Sequence, residues 1–170
     1  LFDSASGFGF VDALNSVDKT SSDYGRLGRD VFNQVEINNL AVAGVWGSVY
    51  DDKLVGSDNG DRQIQWFMGS AGNDTIDGGA GSDGASFADS VQGIRVDLSL
   101  SADQVQNDGW GTVDQLLGVE AILGSYFGDV ITGSSATEFF LPSKGNDSVD
   151  GGAGLLNKVG YSDYREVAGA

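Results

Sequence analysis

GSAGNDTIDGGAGSDGAS, Gly69 to Ser86, consists of two consecutive nine-residue units that each open on glycine and place an aspartate sixth, Asp74 and Asp83. The first six residues of GSAGNDTID are small or turn-forming, because glycine takes positive φ and allows close backbone approach at no steric cost. They predict a loop. The last three, Thr75, Ile76 and Asp77, set one β-branched apolar side chain between two polar ones, the pattern of a very short strand with one inward residue. A loop and a three-residue strand cannot bury an apolar face alone. Such units must stack, each covering its neighbour's apolar row, and the predicted fold class is all-β, a solenoid of short strands.

Stacking also repeats the carboxylate. Asp74 projects into a loop rich in free backbone carbonyls, an arrangement that suits a hard cation taking six to eight oxygens at about 2.3–2.6 Å; calcium fits best. An isolated GxGxD match is an ordinary acidic turn more often than a site. Repetition in frame favours the ion.

These units resemble the RTX (repeats-in-toxin) nonapeptide GGxGxDxUx, with U a large apolar residue. The resemblance implies a parallel β-roll, an RTX-type β-solenoid that binds Ca2+ in its turns. It also implies that successive turns alternate between two sides, so that an ion lies between loops two units apart. On this sequence it pairs Asp52 with Asp74 and Asp129 with Asp147, with backbone oxygens from glycine loops that include Gly69, Gly72, Gly78, Gly81 and Gly145. Asp83 shares its side with an enlarged turn where Gln65 holds the sixth position, and Glu120 with Glu138 forms a third pair on longer side chains. In GGAGLLNKV, from Gly151, Leu156 stands in place of the aspartate and Lys158 follows, so no ion and an ending stack are expected there.

Composition agrees. Asp and Glu number 25 against 9 Lys and Arg, a net charge of −16, which disfavours nucleic acid and anionic membranes and favours cations. Apolar residues make up 40%, enough for a core, yet each short strand buries little area against an ordering cost on the order of 1–2 kcal/mol per residue. A metal-free chain is therefore expected to be largely unstructured. Cysteine and histidine are absent, which removes disulfides, thiolate sites, Ser/His/Asp triads and HExxH zinc chemistry. No signal peptide opens the sequence, and no apolar run approaches the roughly 18–20 residues of a membrane span; Leu40 to Trp46 is too short.

A longer period overlies the nonapeptide. Phe2–Asp12 (FDSASGFGFVD) corresponds to Phe87–Asp97 (FADSVQGIRVD), GSVYDDKLVG at Gly47 to GSYFGDVITG at Gly124, and GSAGNDTIDGG at Gly69 to PSKGNDSVDGG at Pro142. The sequence divides into two tandem modules: 1–86, with nonapeptide turns over 47–86, and 87–160, with turns over 115–159. A further repeat starts in 161–170. In the second module the frame runs unbroken from Gly124 through units at Gly133, Pro142 and Gly151, and QLLGVEAIL from Gln115 adds a fifth turn with Glu120 sixth and Ile122 eighth. The first module carries insertions, one of them a surface bulge with GDRQ at Gly60–Gln63. Irregular strands and loops flank the turns: GIRVDLSL, Gly93–Leu100, reads as a longer strand, GFVDAL, Gly9–Leu14, as its counterpart, and Ser101–Gln104 as a short helical turn.

The expected function is structural: a non-enzymatic calcium-binding module that folds on extracellular calcium. The resemblance places it in a larger secreted or surface-attached bacterial protein exported unfolded by a type I apparatus. Two alternatives stay open. Trp46, Trp66, Trp110, Tyr126 and Phe127 would suit a carbohydrate-binding or adhesive surface, with a glycan or an extracellular protein as partner, and rolls are also carried by polysaccharide-modifying enzymes as non-catalytic appendages. The carboxylates recur with the repeat, as ligands do, whereas catalytic groups occur once. Gly79–Gly84 spells GxGxxG without a following helix, and the sequons at Asn73 and Asn146 fall inside the metal loops, so neither carries a separate reading.

Overall fold

The computed structural model describes residues 9–12, 31–32, 43–56 and 64–161. Among them the chain is all-β, with fifteen short strands and no helix. In chain order they are β1 (Gly9–Asp12), β2 (Val31–Phe32), β3 (Ala43–Trp46), β4 (Lys53–Val55), β5 (Ile64–Met68), β6 (Thr75–Asp77), β7 (Ser82–Ser86) and β8 (Arg95–Asp97). There follow β9 (Val105–Asn107), β10 (Gln115–Leu117), β11 (Ala121–Leu123), β12 (Val130–Thr132), β13 (Phe139–Leu141), β14 (Ser148–Asp150) and β15 (Lys158–Val159).

Strands close in sequence lie in different sheets. One parallel sheet of seven takes β1-β3-β5-β7-β11-β13-β15, and two sheets of four take β10-β6-β4-β2 and β14-β12-β8-β9. All pairs are parallel except β8 with β9. A chain alternating between layers in this way brings residues two units apart into register, as in Ile131 beside Val149. The alternation breaks once. After β7 the chain runs through β8, reverses into β9, and returns as β10 beside β6, with an antiparallel bridge from Val105 to Asp114. Pairing of β7 with β11 then carries the large sheet across residues 86 and 87.

From β3 to β13 most strands bury an apolar side chain, whereas β15 leaves both of its side chains exposed. Val45, Phe67, Ala85, Ile122 and Phe140 line up in register along the large sheet, facing Leu54, Ile76 and Leu116 of the second sheet and Val96 and Ile131 of the third in one apolar cluster. All are at most 4% exposed. At about 1.5–3 kcal/mol per buried side chain, this single file holds the layers together.

Several expectations change. The long strand over Gly93–Leu100 is cut to Arg95–Asp97, because the Asp97 carboxylate accepts bonds from the Ser99 amide and hydroxyl and turns the chain. No helical turn forms at Ser101–Gln104; Asp103 adopts φ 51 and the chain reverses into β9. Gln115–Leu117, read as loop, is a strand, although Glu120 and Ile122 hold their expected places before and within β11. The last unit slips by one residue, for Lys158 pairs with Phe139, so that Asn157 and not Leu156 occupies the carboxylate position. Leu156 is 70% exposed. The bulge at Gly60–Gln63, most of the loops before Ala43 and the further repeat after Tyr161 lie outside the described residues.

Candidate metal centre

The glycine that opens a unit has two steric reasons. A Cβ on Gly47 would lie 2.6 Å from both Asp52 Oδ2 of its own turn and the Gly69 carbonyl of the next, and a Cβ on Gly133 would lie 2.6 Å from the Gly151 carbonyl and 2.8 Å from Glu138 Oε2. Gly124 meets Asp129 and the Pro142 carbonyl in the same way. One carboxylate oxygen and one carbonyl oxygen therefore share the space each missing side chain vacates. The unit's fourth residue is fixed by backbone conformation: Gly72, Gly81 and Gly145 have φ of 125°, 142° and 138°, a region closed to other residues.

The turns are of two kinds. In GSVYDD, GSYFGD and GSSATE the second-position serine closes on the carboxylate of its own turn: Ser48 on Asp52, Ser125 on Asp129, with hydroxyl to Oδ1 at 2.6 Å, and Ser134 on Glu138. In the units that match GGxGxD best, the second residue instead turns left-handed, Ser70 at φ 70, Gly79 at 84 and Ser143 at 71, and no serine reaches the carboxylate. The latched turns lack the fourth-position glycine. Sequence reading gave both kinds the same role and missed the difference.

Carboxylates stack in columns because the backbone ladder continues through them. Asp52 N–H donates to Asp74 Oδ1 at 2.8 Å, and Asp74 N–H to Asp114 Oδ1 at 3.0 Å. Asp129 N–H donates to Asp147 Oδ1 at 3.0 Å, eighteen residues on, or two units. Both expected pairs, Asp52 with Asp74 and Asp129 with Asp147, are thus neighbours. On the other edge Asp83 follows Gln65 in register, its N–H donates to Glu120 Oε2 at 3.1 Å, and Glu138 N–H donates to Asn157 Oδ1 at 3.0 Å. Asp83, Glu120 and Glu138 line one cavity of about 330 Å3 with Thr137 and Lys158. Asp114 was missed. Its signal was there, since VDQLL places an aspartate directly before a strand as NDTID does, but the irregular loop ahead of it hid the frame.

Among the described residues three buried carboxylate oxygens have no hydrogen-bond partner: Asp74 Oδ2, Asp83 Oδ2 and Glu138 Oε2. Burial pushes Asp74 up to about 7, assisted by the charges of Asp52, Asp108 and Asp51 and opposed by the Asp52 N–H. Burial likewise lifts Asp83 to about 7, with Glu120 and Asp77 beside it, and Asp114 to about 8, against the N–H of Asp74. Asp129 is raised by burial and held back by Ser125 and the Ile94 amide. Buried anions this poorly compensated call for a counter-charge. No three acidic side chains converge on one point among the described residues, so a cation held here would draw on neighbouring turns, with backbone carbonyls completing its shell.

Compared with known proteins, the chain matches no family model, no curated protein and no solved structure.

Proposed function

We propose that this chain is a calcium-dependent structural module, a parallel β-roll of the RTX type whose acidic turns are bridged by divalent cations. The observation that carries the reading is the set of buried, unpartnered carboxylate oxygens at Asp74, Asp83 and Glu138, in columns that also gather backbone carbonyls. The donor set is all oxygen, which suits calcium and not a softer metal. Asp74 with Asp52, and Asp147 with Asp129, would hold ions on one edge; Asp83, Glu120 and Glu138 would do so on the other. A bound divalent cation supplies positive charge and a demand for six to eight oxygens.

The chain's own residues do the rest. Opening glycines keep carboxylate and carbonyl oxygens in one space, the fourth-position glycines supply the positive-φ backbone of the open turns, and in the latched turns a serine holds one or both carboxylate oxygens, with Glu138 Oε2 left over for a cation. With the oxygens neutralised, the inward file of apolar residues can close, and ion binding becomes folding free energy. Meeting extracellular calcium after export would time that folding, and the parent protein would be secreted or surface-attached. No described helix is long and apolar enough to cross a membrane.

Circular dichroism during a calcium titration, reversed with EGTA, tests this. A largely unstructured apo chain should gain β signal, and Asp74→Ala and Asp147→Ala should each raise the calcium midpoint. A chain equally folded in chelator, with midpoints that neither substitution moves, would defeat the reading.

A further inference from the structure

The two copies differ at one equivalent place. In the second, Lys144 from the unit at Pro142 lies over the Tyr126 ring of the preceding stacked turn, its ammonium 5.7 Å from the ring centre. Gly69–Asp74 corresponds to Pro142–Asp147, and Gly47–Asp52 to Gly124–Asp129, so Ala71 occupies the lysine's position in the first copy. There the ammonium is replaced by a cavity of about 290 Å3, lined by Val49, Tyr50, Ser70, Ala71, Asp89 and Trp110. Its size is at the low end of small-ligand pockets, which start at roughly 300 Å3.

The cavity is assembled from four separated stretches and braced. Asp108 Oδ1 accepts the amides of Trp110, Gly111 and Thr112 at 2.8–2.9 Å, which fixes the loop that holds Trp110 43% exposed. Ser90, next to Asp89, donates its hydroxyl to the Asp108 carbonyl at 2.6 Å, and the Gly72 amide donates to Thr112 Oγ1 at 3.3 Å. Three of the four stretches, those holding Ala71, Asp89 and Trp110, are thereby tied to one another. Gly111 has φ 96 with open space where its Cβ would be, so glycine is required there by the conformation of that loop alone. No donor among the described residues bonds the Asp89 carboxylate, and the wall contains no basic side chain.

Two aromatic residues, one unoccupied carboxylate and a net charge of −16 describe a receptor for an organic cation. We propose that this cavity binds an alkylammonium head group between Tyr50, Trp110 and Asp89, the place of the Tyr126 ring being taken in this copy by Val49. The ligand is a free quaternary amine or a lysine side chain of a partner protein; both offer the same chemistry.

The three tryptophans give three indole N–H resonances, and Trp110→Phe assigns the relevant one. Full-length chain in calcium is titrated with choline, with Nα-acetyl-lysine amide and with cellobiose, and its fold is followed by circular dichroism so that failure of the calcium reading shows separately. Choline or the lysine derivative should shift the Trp110 signal saturably, and the stronger of the two names the source. Trp110→Ala should weaken binding by about 3- to 30-fold, the range of a cation–π contact, and Asp89→Asn by about tenfold. Ala71→Lys should abolish binding while leaving the fold intact, and Phe127→Ala, outside the cavity, should leave it unchanged. Response to cellobiose alone, no response to either amine, or full binding by the Ala71→Lys chain would overturn the proposal.

Discussion

Replacing Asp74 by asparagine should act in opposite directions with and without calcium. The side chain is 2% exposed, its Oδ1 accepts the Asp52 amide, and its Oδ2 has no partner. Asparagine keeps the acceptor and removes the charge. A folded-state value near 7 against 3.8 means that the folded chain binds more protons than the unfolded one between those limits. Metal-free stability therefore falls as pH rises from about 4, and the loss is complete above about 7. Three units at about 1.4 kcal/mol each set an upper bound of about 4 kcal/mol, shared with Asp114, which is coupled to Asp74 through its neighbouring charge. In EGTA at pH 8 the Asp74→Asn chain should thus hold more β structure than the parent, by up to that amount in urea unfolding; the difference should shrink to less than half at pH 5 and vanish near pH 3. In calcium the same change removes an anionic ligand and should shift the midpoint about tenfold upward, a loss near 1.4 kcal/mol. Destabilisation of equal size in both buffers, or a difference indifferent to pH, would refute the idea that Asp74 is a buried charge awaiting a cation.

Two further outcomes test the packing. Phe140, fully buried between Ile122 and Val159 in register, should cost about 3–5 kcal/mol as Phe140→Ala in calcium-loaded urea unfolding, and a loss below about 1 kcal/mol would show that the inward file does not carry the fold. Gly145→Ala combines φ 138 with a collision against the Phe127 carbonyl, so it should lower the melting temperature more than Gly111→Ala, which has strained φ but open space; the reverse order would contradict the stacking geometry.

Serine latches alter how the acidic repeat is understood. Asp129 is as buried as Asp83, yet Ser125 gives it two hydrogen bonds while Asp83 keeps an orphaned oxygen. Ser125 reaches both oxygens of Asp129, whereas Ser134 reaches only Oε1 of Glu138 and leaves Oε2 without a partner; in turns of the second kind no serine meets the carboxylate. The two kinds stack next to each other, Asp52 beside Asp74 and Asp129 beside Asp147, so both of these pairs join a latched turn to an open one.

The local plan was legible because it is written in short-range chemistry. A glycine that must admit a carbonyl, a carboxylate six residues into the unit and one inward apolar residue two further on are each set within nine residues, and Ile76, Ile122 and Ile131 lie where that spacing puts them. What the spacing left open was decided by contacts between distant turns. Asp114 joins the column of Asp74 only because β10 returns to β6, forty residues away, and Asn157 takes the place assigned to Leu156 because β15 settles in register with β13. The serine latches go with a second residue that is not left-handed, which serine at that place does not decide, since Ser48, Ser125 and Ser134 latch and Ser70 and Ser143 do not. The cavity at Trp110 needs four stretches of chain in one place, and no pattern along a single stretch encodes that meeting, because hydrogen bonds between residues 18 and 40 positions apart hold it together.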